Sequence, residues 1–128
     1  MTIFTKIING EIPCYKIAED ENYFAFLDIR PLNAGHTLVV TKREVNYIFD
    51  LENDELKGLI VFAKKIAIAI KKSIECERIG MTVIGLEVPH THIHLSPINS
   101  VNDLDFRNTK EISKEKMFEI AEKIKANL

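Results

Sequence analysis

Three histidines at alternate positions limit what this chain can fold into more than any other feature. His90, His92 and His94 alternate with Thr91 and Ile93, and the chain has only four histidines in total. The β-branched residues between them predict a strand. Alternate side chains of a strand share one face, so the three rings are expected to project side by side. Because imidazoles are costly to bury in a row, the pattern indicates a functional site.

Three kinds of chemistry use imidazoles on one face of a strand, and the row alone does not choose among them. Three histidines can ligate a catalytic zinc ion. A neutral imidazole can attack phosphorus or an acyl carbon as a nucleophile. Imidazole N–H groups can also hold a phosphate. The remaining interpretation is a set of hydrogen-bonded histidines without a role, which would be preferred for one isolated histidine but not for three in alternation.

Length and composition predict an ordinary single domain spanning residues 1–128. The net charge of -2 argues against a nucleic-acid partner but leaves room for a small anionic ligand. Cys14 and Cys76 lie far apart and are expected to be free thiols in a reducing compartment. The most apolar stretch is interrupted by Lys64 and Lys65, so no membrane span is predicted and a cytoplasmic location is expected.

Hydrophobic periodicity predicts an α+β fold with an antiparallel sheet of about five strands. Apolar residues recur at helical spacing from Leu56 to Ile74, which predicts one long helix beginning at Asn53 or Asp54. Ser113 is expected to cap a C-terminal helix. The strands are predicted at residues 16–19, 23–27, 36–41, 79–85 and 91–96. The order of the elements favours helices on one face of the sheet.

Three segments resemble the histidine triad (HIT) family. Val88–Leu95 resembles the family signature, His-x-His-x-His followed by apolar residues. Phe4–Pro13 is similar to the family's amino-terminal segment, and Phe26–Val40 resembles its aspartate and glycine-histidine block. The resemblance covers about residues 3–98 and implies a single HIT domain with residues 99–128 as a C-terminal extension.

The resemblance implies a nucleotide hydrolase or transferase. Such an enzyme cleaves at the α-phosphate of nucleoside 5′-phosphoramidates or dinucleoside polyphosphates, with His92 as the nucleophile in a covalent nucleotidyl-imidazole. His94 and His90 would hold the non-bridging phosphate oxygens and fix the ring of His92. No metal or other cofactor is implied. The implied partners are a purine nucleotide or a related nucleoside phosphate and a second copy of the chain, with the long helix near the interface of a homodimer.

The same resemblance implies a nucleotide-binding surface around the three histidines. Asp28 would bind the ribose hydroxyls, since a carboxylate accepts two short hydrogen bonds. His36 would lie near the phosphates, and Ile29 with Phe4 or Ile7 would line the base pocket. The full set of nucleotide-binding residues implied by the resemblance is Asp28, Ile29, His36, Phe4, Ile7, Glu87 and Val88.

The chain departs from the family pattern at several positions. Thr2 and Thr5 stand where many prokaryotic relatives have a zinc-binding Cys-x-x-Cys pair, so no structural zinc is expected. Leu86 replaces a glutamine that would contact the phosphate or the leaving group, and Glu87 would repel phosphate unless protonated or turned away. The missing glutamine leaves open one alternative, a nucleotide-binding module with little or no turnover. The histidine row itself leaves open another, a zinc enzyme that uses the three histidines as ligands.

Overall fold

The computed structural model describes residues 1–128, with three α-helices and five strands. In chain order they are α1 (Ile3–Ile8), β1 (Lys16–Glu19), β2 (Tyr23–Leu27), β3 (Thr37–Thr41), α2 (Asn53–Ser73), β4 (Arg78–Thr82), β5 (His92–Ile98) and α3 (Lys114–Ala126). Short 3₁₀ turns lie at Ile48–Asp50 and Val101–Leu104. No helix has the length and apolar character needed to span a membrane.

The five strands form one antiparallel sheet in the order β1-β2-β3-β5-β4. The predicted α+β class is therefore confirmed. β3 and β5 pair directly, with Leu38 opposite His94 and Val40 opposite His92. Because side chains alternate along each strand, this register places both histidines on the same face as Leu38 and Val40.

Different elements pack on the two faces of the sheet. α2 and α3 pack on one face over the main core, to which the strands contribute Val39, Ile93 and Leu95. The other face carries a smaller buried cluster, which consists of Phe4, Phe24, Phe26, Leu38 and Val40. Phe4 comes from α1, which the sequence analysis did not predict. The histidine row thus lies on the face that the two long helices leave free.

The boundaries of the elements differ from the prediction in a few places. α2 begins at Asn53, but its N-cap is Glu52, which makes no side-chain capping bond. β4 ends at Thr82 instead of Gly85, because its pairing with β5 stops at the Thr82–His94 pair, and Gly85 itself has a positive φ of 74° that is unsuited to a strand. The Ser113 cap is confirmed, since its hydroxyl accepts the N–H of Lys116 at 3.1 Å.

Candidate active site

His92 and His94 project from β5, but His90 lies before the strand. β5 begins at His92, so the expectation of three rings side by side on one strand is wrong for His90. Pro89 has no N–H to donate, and the N–H of His90 turns back to the carbonyl of Val88 at 2.8 Å. The N–H of Thr91 bonds to the carbonyl of Val45 instead of joining the β3 ladder.

His90 is fully buried, and both of its ring nitrogens are hydrogen-bonded within the protein. Nε2 lies 2.7 Å from the carbonyl oxygen of Thr41, so Nε2 carries the proton and donates it. Nδ1 lies 2.7 Å from the Thr2 hydroxyl, which donates to it. No N–H of this ring is left to hold a phosphate oxygen.

The backbone of His90 orients the ring of His92. The carbonyl oxygen of His90 lies 2.6 Å from Nδ1 of His92, and a carbonyl can only accept. Nδ1 of His92 therefore carries the proton in the neutral ring, which leaves the lone pair on Nε2. The ring of Phe4 stands against His92 with centroids 5.0 Å apart at 76°. An unprotonated Nε2, which is able to act as a nucleophile, is thus held in one tautomer and one orientation.

A second chain of hydrogen bonds fixes the tautomer of His94. The N–H of Leu32 donates to Nδ1 of His36 at 3.0 Å, so His36 carries its own proton on Nε2. That Nε2 lies 3.0 Å from Nδ1 of His94 and donates to it. Neutral His94 must then carry its proton on Nε2, where it can donate to an anionic oxygen.

Burial keeps these imidazoles neutral. It lowers the pKa of His94 to about 3, assisted by repulsion from His36 and His92. It lowers the pKa of His36 to about 4. Burial also lowers the pKa of His92, although the hydrogen bond to the His90 carbonyl and the charges of Asp28 and Glu87 act in the opposite direction. At neutral pH the lone pair of His92 is therefore available.

Asp28 lies at the edge of this row, in the loop after β2. One carboxylate oxygen accepts the N–H of Arg30 at 2.9 Å, and the other lies 3.7 Å from Nε2 of His36. Burial raises the pKa of Asp28. The next residue, Ile29, is 73% exposed. A carboxylate can accept hydrogen bonds from sugar hydroxyls, and the exposed apolar side chain beside it can pack against a neighbouring apolar ring.

Asp28, His36 and His94 are also the kind of group that can bind a metal ion, since one ligand atom of each lies within 4.8 Å of the others. The hydrogen bonds argue against this use. Nδ1 of His36 accepts the N–H of Leu32, so its Nε2 holds a proton and has no lone pair for a metal. The zinc alternative with three histidine ligands meets a similar obstacle, because both ring nitrogens of His90 are already bonded to protein.

The structure brings the remaining predicted residues to the same face. Phe4 is buried against His90, His92 and Phe26, while Ile7 and Val88 pack around its cluster. Glu87 is exposed in the loop before the triad and lies close enough to act electrostatically on His92. Leu86 is 89% exposed, so no buried polar group stands where relatives have glutamine.

Sequence reasoning missed two contributors to this site. Thr2 bonds to His90, and its only local signal is the Thr2-x-x-Thr5 spacing of a helix cap. Phe106 stands against His94 with centroids 4.8 Å apart at 74°, and it comes from a segment without periodicity.

The comparisons with known proteins agree with this geometry. The family model described as the HIT domain matches residues 9–101. An uncharacterized HIT-like protein of Methanocaldococcus jannaschii is 44% identical over 101 residues, which cover 76% of this chain and 78% of that protein. The adenosine 5′-monophosphoramidase HNT1 of Saccharomyces cerevisiae is 35% identical over 96 residues, covering 74% of this chain and 61% of that enzyme.

A solved structure extends the likeness to the whole fold. The crystal structure of a Hit-like protein involved in cell-cycle regulation from Bartonella henselae has a TM-score of 0.87 and 32% identity. The match covers 99% of this chain and 96% of that one. This chain belongs to the HIT family, which confirms the resemblance inferred from the three sequence segments.

Proposed function

We propose that this protein is a nucleotide hydrolase or transferase that cleaves at the α-phosphate of nucleoside 5′-phosphoramidates or dinucleoside polyphosphates. The observation that supports this most strongly is the tautomer of His92. Its Nδ1 is committed to the carbonyl of His90 at 2.6 Å, so its Nε2 lone pair faces the site. The similarity to the yeast phosphoramidase supports the same class of substrate.

In the first step of the proposed reaction, Nε2 of His92 attacks the α-phosphorus and the bond to the leaving group breaks. The leaving group departs with the bonding electrons and takes a proton from solvent. Since Nδ1 is already protonated, the His92 ring becomes cationic. The carbonyl of His90 and the carboxylates of Asp28 and Glu87 stabilise that charge.

The N–H on Nε2 of His94 donates to a non-bridging phosphate oxygen in both steps. In the second step, water attacks the same phosphorus, and the phosphorus–nitrogen bond breaks. The electron pair returns to Nε2 of His92, a proton leaves to solvent and the nucleoside monophosphate is released. His90 acts through its carbonyl and not through its ring, which differs from the role that the family resemblance implies.

The test of this function is hydrolysis of adenosine 5′-phosphoramidate and diadenosine tetraphosphate with a chelator present. Release of adenosine monophosphate from either compound supports the proposal, and the preferred compound defines the leaving group. Tight binding of adenosine monophosphate without turnover would instead identify a nucleotide-binding module, the alternative motivated by Leu86. Turnover that disappears with the chelator and returns with zinc would identify a metalloenzyme.

We expect Asp28→Ala to raise KM by about 10- to 100-fold while changing kcat less. A hydrogen bond to a charged group contributes about 1.5–3 kcal/mol, and a ribose contact stabilises ground and transition states equally. Loss of the Asp28 charge also removes an attraction to the cationic His92 ring, so kcat should fall, but by less than KM rises. Steady-state kinetics measure this split. The matched control is a 2′,3′-dideoxy substrate, which should bind the wild-type and variant enzymes alike. An unchanged KM for the ribose substrate would contradict the assignment.

The proposed homodimer forms through β4 and the exposed side of α2. The two edges of the sheet differ: β1 carries a charge at each end, Lys16 and Glu19, whereas β4 carries only Arg78 at its start, and no charge follows from Ile79 to Leu86. Charges protect an edge strand from pairing, and their absence leaves β4 open to a second copy. The exposed apolar side chains of this region are Ile60, Val61, Ile68, Met81, Val83 and Ile84.

We expect the wild-type protein to have twice the chain mass in light scattering, and Met81→Arg to be monomeric. Met81 is 54% exposed on the edge strand, and a buried unpaired charge strongly disfavours an interface. Phe118→Arg is the matched control, because this 59% exposed residue lies on α3, which packs over β1 at the opposite edge. A monomeric wild type, or dimer loss only in the control, would contradict the proposed interface.

A further inference from the structure

A C-terminal strap, residues 99–110, crosses the histidine face of the sheet. Its first turn is closed by a capping box between Ser100 and Asp103. Leu104 then packs over Gly80 of β4, where an added Cβ would lie 3.2 Å from Cδ1 of Leu104. Gly80 therefore provides the space in which the strap approaches the sheet.

The far end of the strap is tied to the loop between β2 and β3. The N–H of Lys110 donates to the carbonyl of Pro31 at 2.7 Å. Its ammonium group donates to the carbonyl of Leu32 and to Oδ1 of Asn33. The Asn33 amide in turn donates to the carbonyl of Asp103 at 3.2 Å. The strap is thus fixed at both ends, and the loop it binds is the one whose Leu32 N–H sets the tautomer of His36.

Phe106 lies in the middle of the strap, directly over the hydrogen-bonded rings of His36 and His94. Its ring stands edge-on to His94 at 4.8 Å and to His36 at 6.2 Å between centroids. Phe4 has the corresponding position at the other end of the row, 5.0 Å from His92. Two phenyl rings therefore enclose the imidazoles, leaving the Nε2 atoms of His92 and His94 for the substrate.

We propose that Phe106 is a positioning residue, whose ring keeps water away from the His36–His94 hydrogen bond and holds His94 with its Nε2 proton directed to the substrate. The effect of Phe106 on catalysis rests on the proposed function, whereas its effect on the tautomer of His94 does not. Water at Nδ1 of His94 would compete with the 3.0 Å bond from His36 and would allow the proton to change nitrogen.

Few charged groups act on His36 and His94, so the exclusion of water is the main influence on the pKa of each ring. His92 and His36 are the titratable groups that act on His94, and Asp28 lies 3.7 Å from His36. On the strap itself, Asp105 and Arg107 are paired with each other at 2.9 Å. Removing the phenyl ring should therefore raise the pKa of both imidazoles, since burial is the largest cause of their low values.

The experiment is a pH titration of the histidine ring nitrogens by ¹H–¹⁵N NMR in wild type, Phe106→Ala and Phe106→Leu. In the wild type, His94 should be the Nε2–H tautomer and remain neutral from pH 8 to 5. In Phe106→Ala, the midpoints of His94 and His36 should rise by at least about one pH unit, with mixed tautomers. Phe106→Leu should restore most of the wild-type behaviour, because it replaces the apolar cover.

Two further variants make the result decisive. Val101→Ala lies on the same strap, at a residue that is 89% exposed, and should change nothing. Lys110→Ala removes the ammonium bonds to Leu32 and Asn33 and keeps the backbone bond to Pro31, so it loosens the end of the strap without altering Phe106 and should shift His94 in the same direction as Phe106→Ala, by a smaller amount. A folded Phe106→Ala protein with unchanged titration of His94 and His36 would overturn the proposal. These shifts are measured without substrate, so the inference and the proposed function can fail separately.

Discussion

Replacing His92 with alanine is expected to lower kcat by at least about a thousandfold while leaving the fold intact. Removing a covalent nucleophile eliminates the reaction path itself, and losses of this size or larger follow such changes. The structural cost is small, because the side chain makes a single hydrogen bond, from Nδ1 to the carbonyl of His90. Steady-state hydrolysis of adenosine 5′-phosphoramidate measures the effect.

Mass spectrometry of the reaction quenched in alkaline denaturant supplies a second, direct measurement of the same step, because the phosphorus–nitrogen bond of a nucleotidyl-imidazole is stable in alkali and labile in acid. In the wild type, a peptide containing His92 should gain the mass of one nucleotidyl group, and the variant should show none. Binding of adenosine monophosphate by calorimetry is the control for a properly formed site, since Asp28 and Ile29 remain in place. An adduct on another residue, or substantial turnover by His92→Ala, would remove His92 from the role of nucleophile.

The part of the site that the sequence predicts best depends on short-range periodicity. His92 and His94 share a face because they are two residues apart in a strand, and β5 fulfils that rule. The position of His90 depends on contacts with residues far away along the chain. Its ring partners, Thr2 and Thr41, are 88 and 49 residues away, so no local pattern could assign its two nitrogens.

The elements that the sequence did not predict are those held in place by residues far away along the chain. α1 has six residues, too few to show an amphipathic stripe, and it is defined by its cap and by the packing of Phe4. Phe106 is placed by bonds such as that from Lys110 to Leu32, which are 78 residues apart. The Ser100-x-x-Asp103 capping box was the one readable signal in that segment, and it predicts a turn but not what the turn covers.

The burial that keeps His36 and His94 neutral should also make the protein sensitive to mild acid. The folded-state pKa values of His36 and His94, about 4 and about 3, lie below the value of about 6.5 for an unfolded histidine. Between pH 6.5 and pH 4 the unfolded chain therefore binds protons that the folded chain does not. The free energy of unfolding must fall as pH decreases through that window, and the lost stability is fully present above pH 6.5.

Below pH 6.5 the loss per histidine approaches about 1.4 kcal/mol per pH unit, and the two together should lower the free energy of unfolding by about 3 kcal/mol between pH 6.5 and 5. That is a large share of the roughly 5–15 kcal/mol that stabilises a typical domain. Urea denaturation at pH 7.5, 6.5 and 5 measures the slope. His36→Gln removes one of these titrating rings, so its stability should fall less steeply with decreasing pH than that of the wild type. Equal slopes in the two proteins would mean that His36 is not held neutral by burial, and the tautomer assigned to His94 would lose its basis.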